Sequence, residues 1–188
     1  MGMLRVIGGA AKGLRLKHVP GDTTRPITDK VKEALFNILG GEILDVGMLD
    51  LFGGTGAVGI EALSRGANEV TFLDTSRLAV QTIRENLSTT HFTDKARVFQ
   101  ADAFNWLSSQ TDPHFDLIYI APPQYKGLWE KAMDLIDHNP ELLSDEGQVI
   151  IQINPLEWVE KTYTNLQVFD SRKYGDTLLV FLEKSTRE

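Results

Sequence analysis

The sequence predicts an α/β fold: a doubly wound, mostly parallel seven-stranded sheet whose last two strands pair antiparallel, extended at the amino end by a β-hairpin. Three observations predict it. From residue 48 to about 153, short apolar runs alternate with stretches whose apolar residues fall at helical spacing, as expected of βα units feeding a parallel sheet. The apolar run Leu49-Asp50-Leu51-Phe52 opens directly into Gly53-Gly54-Thr55-Gly56 and then into a helix-like stretch from Ala57. The last two apolar runs, near 166–169 and 177–182, are too close together for a helical crossover and therefore pair antiparallel.

Residues 3–18 read as the hairpin. Leu4-Arg5-Val6-Ile7 and Leu14-Arg15-Leu16-Lys17-His18 are its arms, with Gly8-Gly9 and Lys12-Gly13 as turn material. The second arm alternates apolar and basic residues, so one face packs while Arg15 and Lys17 show on the other. Val19-Pro20-Gly21-Asp22 is a turn and Thr23-Thr24-Arg25-Pro26 a polar loop. Thr28 or Asp29 caps the first helix. Its buried stripe is predicted as Val31, Ala34, Leu35, Ile38 and Leu39, with Lys30, Lys32 and Glu33 off it, and Gly40-Gly41 ends it. After the glycine turn and its helix, stopped at Gly66, a strand is predicted at 69–73. Ser76 then caps a helix to about Leu87 with Val80, Ile83 and Leu87 inward. A strand near 96–99, a short helix after Asp102 and a strand at 115–120 follow. Two prolines make Ala121-Pro122-Pro123-Gln124-Tyr125 a loop. A helix near 127–137 presents Leu128, Ala132, Met133 and Ile136, and a strand covers 148–153. Residues 1–40 form an extension of the domain built by residues 41–188.

A chain of 188 residues suffices for one domain with a sizeable core. The absence of cysteine excludes a disulfide framework, thiolate metal ligands and cysteine nucleophiles. His18, His91, His114 and His138 show no ligand spacing, so no metal is expected. No apolar run reaches membrane-spanning length and the first residues lack a signal-peptide pattern, so a cytoplasmic protein with no membrane contact is expected. Nothing announces a partner helix, and a monomer is expected. The net charge of −7 argues against a surface that coats nucleic acid. Residues 1–32, however, carry seven basic residues against two acidic ones, a balance of +5 that leaves −12 on the remainder. That asymmetry fits either a local polyanion contact or a solvated basic face.

Gly54, Gly56 and Gly59 match the pattern G-x-G-x-x-G of Rossmann-like nucleotide-binding turns. Such glycines permit a tight turn, close approach of a ligand and close packing of helix on strand. Ligands of a doubly wound sheet bind at the carboxyl ends of its strands. There the sequence places Asp50, Gly53, Gly54, Thr55 and Gly56, then Asp74, then Asp102 with Ala103, and finally the Pro-Pro loop. Asp74, about twenty residues beyond the glycines, suits ribose hydroxyls; Asp102 suits an exocyclic adenine amine, with the Ala103 amide beside it. Each acid could equally cap a helix. The glycine motif and Asp74 also fit an NAD-dependent oxidoreductase. Asp50, the Pro-Pro loop and the small room left for a substrate domain speak against that reading.

The set Asp50…Gly53-Gly54-Thr55-Gly56, Asp74, Asp102 and the Pro-Pro-x-Tyr loop resembles the class I S-adenosylmethionine-dependent methyltransferases. Gly8-Gly9, Gly13 and the stretch from Arg25-Pro26-Ile27-Thr28-Asp29 to Leu39 narrow the likeness. With Glu61-Ala62-Leu63-Ser64-Arg65-Gly66-Ala67 and Lys173-Tyr174-Gly175, they resemble the RsmD family over nearly the whole chain. The resemblance implies methyl transfer from S-adenosylmethionine to N2 of a guanine in bacterial 16S ribosomal RNA, free or in an assembling small-subunit particle. It implies cofactor contacts from Asp50, Gly53, Gly54, Thr55, Gly56, Asp74, Asp102 and Ala103. It implies a catalytic loop at Ala121, Pro122, Pro123, Gln124 and Tyr125, and RNA phosphate contacts from Arg5, Lys12, Arg15, Lys17 and Arg25. In the family's Asp/Asn-Pro-Pro-Tyr/Phe motif, a side-chain acceptor and the first proline's carbonyl hold the target amine while the aromatic stacks on a flipped base. This chain departs from the motif. Ala121 stands where the acid or amide belongs, and Gln124 precedes Tyr125. Either Pro122, Gln124 or a water replaces the lost acceptor, or the chain binds cofactor and RNA on a methyltransferase scaffold with little catalysis. Missing cysteine favours amine methylation over pyrimidine carbon methylation, which needs a covalent adduct.

Overall fold

The structure, a computed structural model, describes residues 2–22, 26–111 and 114–185. One sheet contains β1 (Gly47–Asp50), β2 (Glu69–Asp74), β3 (Ala96–Gln100), β4 (Phe115–Ile120), β5 (Leu143–Ile153), β6 (Leu166–Tyr174) and β7 (Thr177–Lys184). Their order across the sheet is β3-β2-β1-β4-β5-β7-β6. Strands β1 to β5 are mutually parallel, while β7 runs antiparallel to both β5 and β6. The helices are α1 (Asp29–Leu39), α2 (Ala57–Ser64), α3 (Arg77–Thr90), α4 (Ala103–Ser109) and α5 (Leu128–His138). This is the α/β fold class that the sequence predicts. Strand order reverses between β1 and β4, where Asp50 pairs with Tyr119, so the cleft of the switch point opens above those two residues.

Both sheet faces are covered, which is why the central strands are apolar on both sides. Leu35 and Phe36 of α1, Ile60 of α2 and Ile83 of α3 pack against Met48, Val70, Phe72, Leu117 and Ile150 on one face. Trp129, Met133 and Ile136 of α5, with Leu107 of α4, pack against Leu49, Ile118, Ile120 and Ile151 on the other.

Several local expectations shift. In α1 the buried residues are Val31, Lys32, Leu35, Phe36 and Leu39, while Ile38 is exposed and Ala34 half-buried. The stripe rotates because Lys32 is drawn inward by a buried carboxylate. In α5 Trp129 is buried and Leu128 only half-buried. Strand β5 starts five residues earlier than predicted, and β6 runs to Tyr174. Asp170, Arg172 and Lys173 hide the length of β6 from an apolar pattern, because it is an edge strand. A two-residue turn with Gly175 at φ +58° closes the β6–β7 hairpin between Tyr174 and Thr177.

The amino-terminal arms form no continuous strands; a single bridge joins Arg5 and Arg15. Hydrogen bonds from Val6 N to Leu14 O (3.0 Å) and Leu16 N to Leu4 O (2.8 Å) still set a hairpin register. The arms are short because the turn is held by α2 rather than by its own ladder. Glu61 accepts from the backbone N–H of Ile7 (3.0 Å) and Gly8 (2.8 Å). Ser64 accepts at its Oγ from Ala11 N (2.9 Å) and donates to Gly8 O (2.6 Å). A Cβ at Gly9 would lie 1.8 Å from the Ser64 carbonyl oxygen, and its φ is +75°, so only glycine fits there. Leu4, Val6, Ala11 and Leu16 thereby join the core layer under α1, α2 and α3.

Candidate active site

The glycine turn bridges the ends of β1 and β2. Gly53 N donates to Leu73 O at 2.7 Å, and Gly56 N donates to Gly53 O at 2.8 Å. Gly54 and Gly56 adopt φ of +57° and +80°, a backbone region that penalises side chains. Gly59 serves packing: a Cβ there would meet Phe72 Cε1 at 2.3 Å, so the third glycine brings α2 against β2. No side chain caps α2 at Gly56; in its first turn the Ala57 N–H donates to Thr55 Oγ1 at 3.3 Å and the Gly59 N–H to the Asp50 carboxyl.

Asp74 fastens this turn. One carboxylate oxygen accepts from Gly54 N at 2.9 Å and the other from Ser76 N at 2.8 Å. Each oxygen retains a second lone pair. The Asp74 carbonyl accepts from Ala101 N at 3.0 Å, which aligns the end of β3 with that of β2. Asp102 caps α4, its Oδ1 accepting from Asn105 N at 2.9 Å. Both acids thus perform the capping or turn-holding role that any acid after a strand can take, and both lie along the same sheet edge.

Asp50 is buried at the end of β1. It accepts a hydrogen bond from the Gly59 backbone N–H, while its Oδ1 has no partner among the described residues. Burial pushes its carboxyl up to about 7; the Gly59 N–H opposes the shift and the neighbouring Asp74 charge adds to it. Next to it on β4, the buried Tyr119 hydroxyl donates to Gln152 Oε1 of β5. Burial, and then the Asp50 charge, raise the Tyr119 hydroxyl well above its usual value.

The loop after β4 forms the other wall. Pro122 is buried, whereas Pro123, Gln124 and Tyr125 are exposed, Tyr125 by 64 %. Tyr125 has φ +60°, which costs about 1–2 kcal/mol for a side-chain-bearing residue. Its backbone N–H is held by Glu157 Oε1 at 2.7 Å, and Glu157 Oε2 accepts from Asn154 N at 3.2 Å. A short helical turn after β5, Pro155–Glu157, therefore presents Tyr125 at the cleft mouth.

The basic arm is less uniform than its sequence. Lys32 is fully buried with Glu61, Nζ to Oε2 being 3.4 Å, and it donates to Arg5 O at 2.5 Å. It belongs to the interior and offers no charge to a polyanion. Arg5 pairs with Asp29 at 3.0 Å and Lys17 with Glu85 at 2.8 Å, both on the surface. Lys12 and Arg15 are exposed with no ion-pair partner among the described residues. Arg25 lies outside the described residues.

Sequence reading missed three residues that build the site. Asn86 of α3 is buried and bonds both the amino-terminal arm and the glycine turn. Glu61 organises the Gly8-Gly9 turn, Lys32 and Arg65. Glu157 holds Tyr125. A signal existed for Glu61, which is the one acid in the otherwise apolar Ala57–Leu63 stretch. Among the described residues no cluster of metal-ligating side chains occurs, and no helix is long and apolar enough to cross a membrane.

The comparisons with known proteins point one way. The family described as Conserved hypothetical protein 95 matches residues 4–183. The chain is 36% identical over 151 residues to Ribosomal RNA small subunit methyltransferase D of Escherichia coli, covering 80% of this chain and 75% of that protein. It is also 36% identical over 184 residues to the Bacillus subtilis protein YlbH, covering 96% of this chain and 99% of the relative. The solved structure of the Escherichia coli protein yhhF superposes with a TM-score of 0.87 at 30% identity, spanning 99% of this chain and 100% of that one. These relatives set aside the NAD-dependent reading of the glycine motif.

Proposed function

The chain belongs to the family described as Conserved hypothetical protein 95, and from that premise we propose that it methylates the exocyclic N2 amine of a guanine in 16S ribosomal RNA, with S-adenosylmethionine as the methyl donor. Methyltransferase chemistry follows from the family. Small-subunit ribosomal RNA is the named substrate of its Escherichia coli relative. The observation that carries the reading is the convergence of four strand ends: the glycine turn of β1, Asp74 of β2, Asp102 of β3 and the Pro122-Pro123 loop of β4.

These residues fit a nucleoside-bearing sulfonium. The positive-φ glycines leave the turn open, with no heavy atom within 4 Å of a Cβ built at Gly54. Asp74 is pre-oriented by two backbone N–H groups and keeps lone pairs for the ribose hydroxyls. Asp102 keeps Oδ2 for an adenine amine, beside the Ala103 amide. When bound, S-adenosylmethionine supplies a methyl group activated by its sulfonium. The protein positions the acceptor. The Pro122 carbonyl takes one N–H of the guanine amine, and Tyr125, presented by Glu157, stacks on the extruded base. Gln124 and Pro123 shape the loop beside it. Arg5, Lys12, Arg15, Lys17 and Arg25 hold RNA phosphates, so residues 1–40 serve as the RNA-contacting extension of the domain. The acidic remainder of the chain discourages indiscriminate binding.

Radiolabelled methyl transfer to unmethylated 16S RNA and to small-subunit particles, followed by nucleoside separation, tests this. Label co-migrating with N2-methylguanosine is expected. Intact binding of S-adenosylhomocysteine without any transfer would move the protein to a binding role on the same scaffold.

A further inference from the structure

We propose that Gln152 supplies the hydrogen-bond acceptor that Ala121 lacks, so that its side-chain carbonyl and the Pro122 carbonyl together hold the two N–H bonds of the target amine. The inference rests on the methyl-transfer reading above. An exocyclic amine donates its lone pair into the ring, and acceptors on both N–H bonds favour the pyramidal, nucleophilic form and stabilise its developing positive charge. The Ala121 methyl accepts nothing, so a second acceptor must come from elsewhere in the cleft.

The sheet provides one. Strands β4 and β5 are parallel neighbours with Tyr119 paired to Ile150 and Ile120 to Ile151. One residue further on, that register sets Ala121 beside Gln152. The two share a face of the sheet. Ala121 packs against the core layer that contains Tyr119 and Ile150, and Tyr119 reaches Gln152 on that same face. Adjacent same-face positions on neighbouring strands place their Cβ atoms about 5 Å apart. The glutamine stem is one methylene longer than asparagine, which suits an approach from the neighbouring strand.

The Gln152 amide is also held and free at once. It is half-buried, bridging the buried Tyr119 and the accessible sheet edge. Its carbonyl oxygen has two lone pairs. The Tyr119 O–H occupies one and fixes the orientation of the amide, and Gln152 has no other side-chain partner among the described residues. Tyr119 is thus a positioning residue that acts through Gln152. The other candidates are poorer. Both carboxylate oxygens of Glu157 are engaged by Tyr125 N and Asn154 N. Gln124 is exposed beyond the second proline and has no hydrogen bond among the described residues to hold it.

In the step so arranged, the N2 lone pair forms the new N–C bond as the C–S bond breaks, and the sulfur keeps the electron pair. The surplus N–H proton then leaves to water. Gln152 accepts a hydrogen bond throughout and takes no proton.

The test compares Gln152→Leu, Gln152→Glu, Tyr119→Phe and two double variants, Ala121→Asp with Gln152→Leu and Tyr119→Phe with Gln152→Leu. Readouts are kcat and KM on small-subunit particles, S-adenosylhomocysteine affinity by calorimetry, and thermal unfolding. Gln152→Leu is expected to lower kcat by about 100-fold or more, the scale of one lost transition-state partner. KM and S-adenosylhomocysteine affinity stay within about twofold. Ala121→Asp restores at least tenfold in that background. Tyr119→Phe lowers kcat less and has no further effect once Gln152 is Leu. If Gln152→Leu fails to fold, Gln152→Glu keeps an acceptor and must remain active. Wild-type kcat in Gln152→Leu, no rescue by Ala121→Asp in a folded protein, or a folded but inactive Gln152→Glu overturns the proposal. An inactive wild type that still binds S-adenosylhomocysteine contradicts the methyl-transfer reading itself, and this proposal with it.

Discussion

The side-chain amide of Asn86 donates to the carbonyl of Thr55 at 2.9 Å, in the middle of the glycine turn. The same amide donates to Lys17 O at 3.1 Å and accepts from Lys17 N at 2.7 Å. One buried residue of α3 therefore joins the turn assigned to the cofactor and the arm assigned to RNA.

Asn86→Ala removes three hydrogen bonds and leaves buried backbone groups unpaired. A loss of about 2–4 kcal/mol in stability is expected, measured by urea unfolding. S-adenosylhomocysteine affinity should fall by about tenfold, because the Thr55 peptide is no longer held. Unchanged affinity in a folded variant would show that the turn needs no support from α3.

Glu61 sits at the centre of a buried charge cluster with Lys32 and Arg65, and Arg65 Nε lies 2.9 Å from its Oε1. Burial pushes the Lys32 amine below its usual value, and the Glu61 charge opposes that shift. Glu61→Leu alone strands Lys32 in the core and should destabilise by about 3–5 kcal/mol. Adding Lys32→Met should recover the part due to the stranded ammonium, while the Ile7 and Gly8 N–H groups stay unpaired. Additive losses in the double variant would refute the coupling.

Asp50 makes stability depend on pH. Its folded carboxyl titrates near 7, above its usual value of 3.8. Between those values the unfolded chain ionises while the folded chain keeps its proton. Stability is therefore full at low pH, falls as pH rises through that window and is level above it. The full shift corresponds to about 4 kcal/mol. The difference in unfolding free energy between Asp50→Asn and the wild type should grow in favour of the variant from pH 4 to pH 7. A pH-independent difference would place the Asp50 carboxyl at its ordinary value.

Lys12 and Arg15 are the exposed charges of the arm that pair with no carboxylate among the described residues. The double change Lys12→Glu and Arg15→Glu should weaken RNA binding by at least tenfold and flatten its dependence on salt. S-adenosylhomocysteine affinity should not move. An unaltered salt slope would place the phosphate contacts elsewhere.

The strand and helix order and the clustering of Asp50, Asp74, Asp102 and the Pro-Pro loop at one sheet edge were legible in the sequence. They follow from local periodicity and from a general rule about open sheets. What escaped the sequence was long-range polar pairing. Lys32 reads as a surface cation until Glu61, on a different helix, is known to face it. Asn86 reads as one more polar residue of a helix until Lys17 and Thr55 arrive beside it. Gln152 gains meaning only from the register of β5 against β4. The hairpin was overestimated as strand because its alternation is real, while its hydrogen bonds run instead to Glu61 and Ser64.

The most direct measurement is mass spectrometry of nucleosides from 16S RNA treated with the protein and S-adenosylmethionine bearing a trideuterated methyl group. N2-trideuteromethylguanosine at a single site is the predicted product. Label on another nucleoside, or none in RNA while S-adenosylhomocysteine binds, would contradict the account.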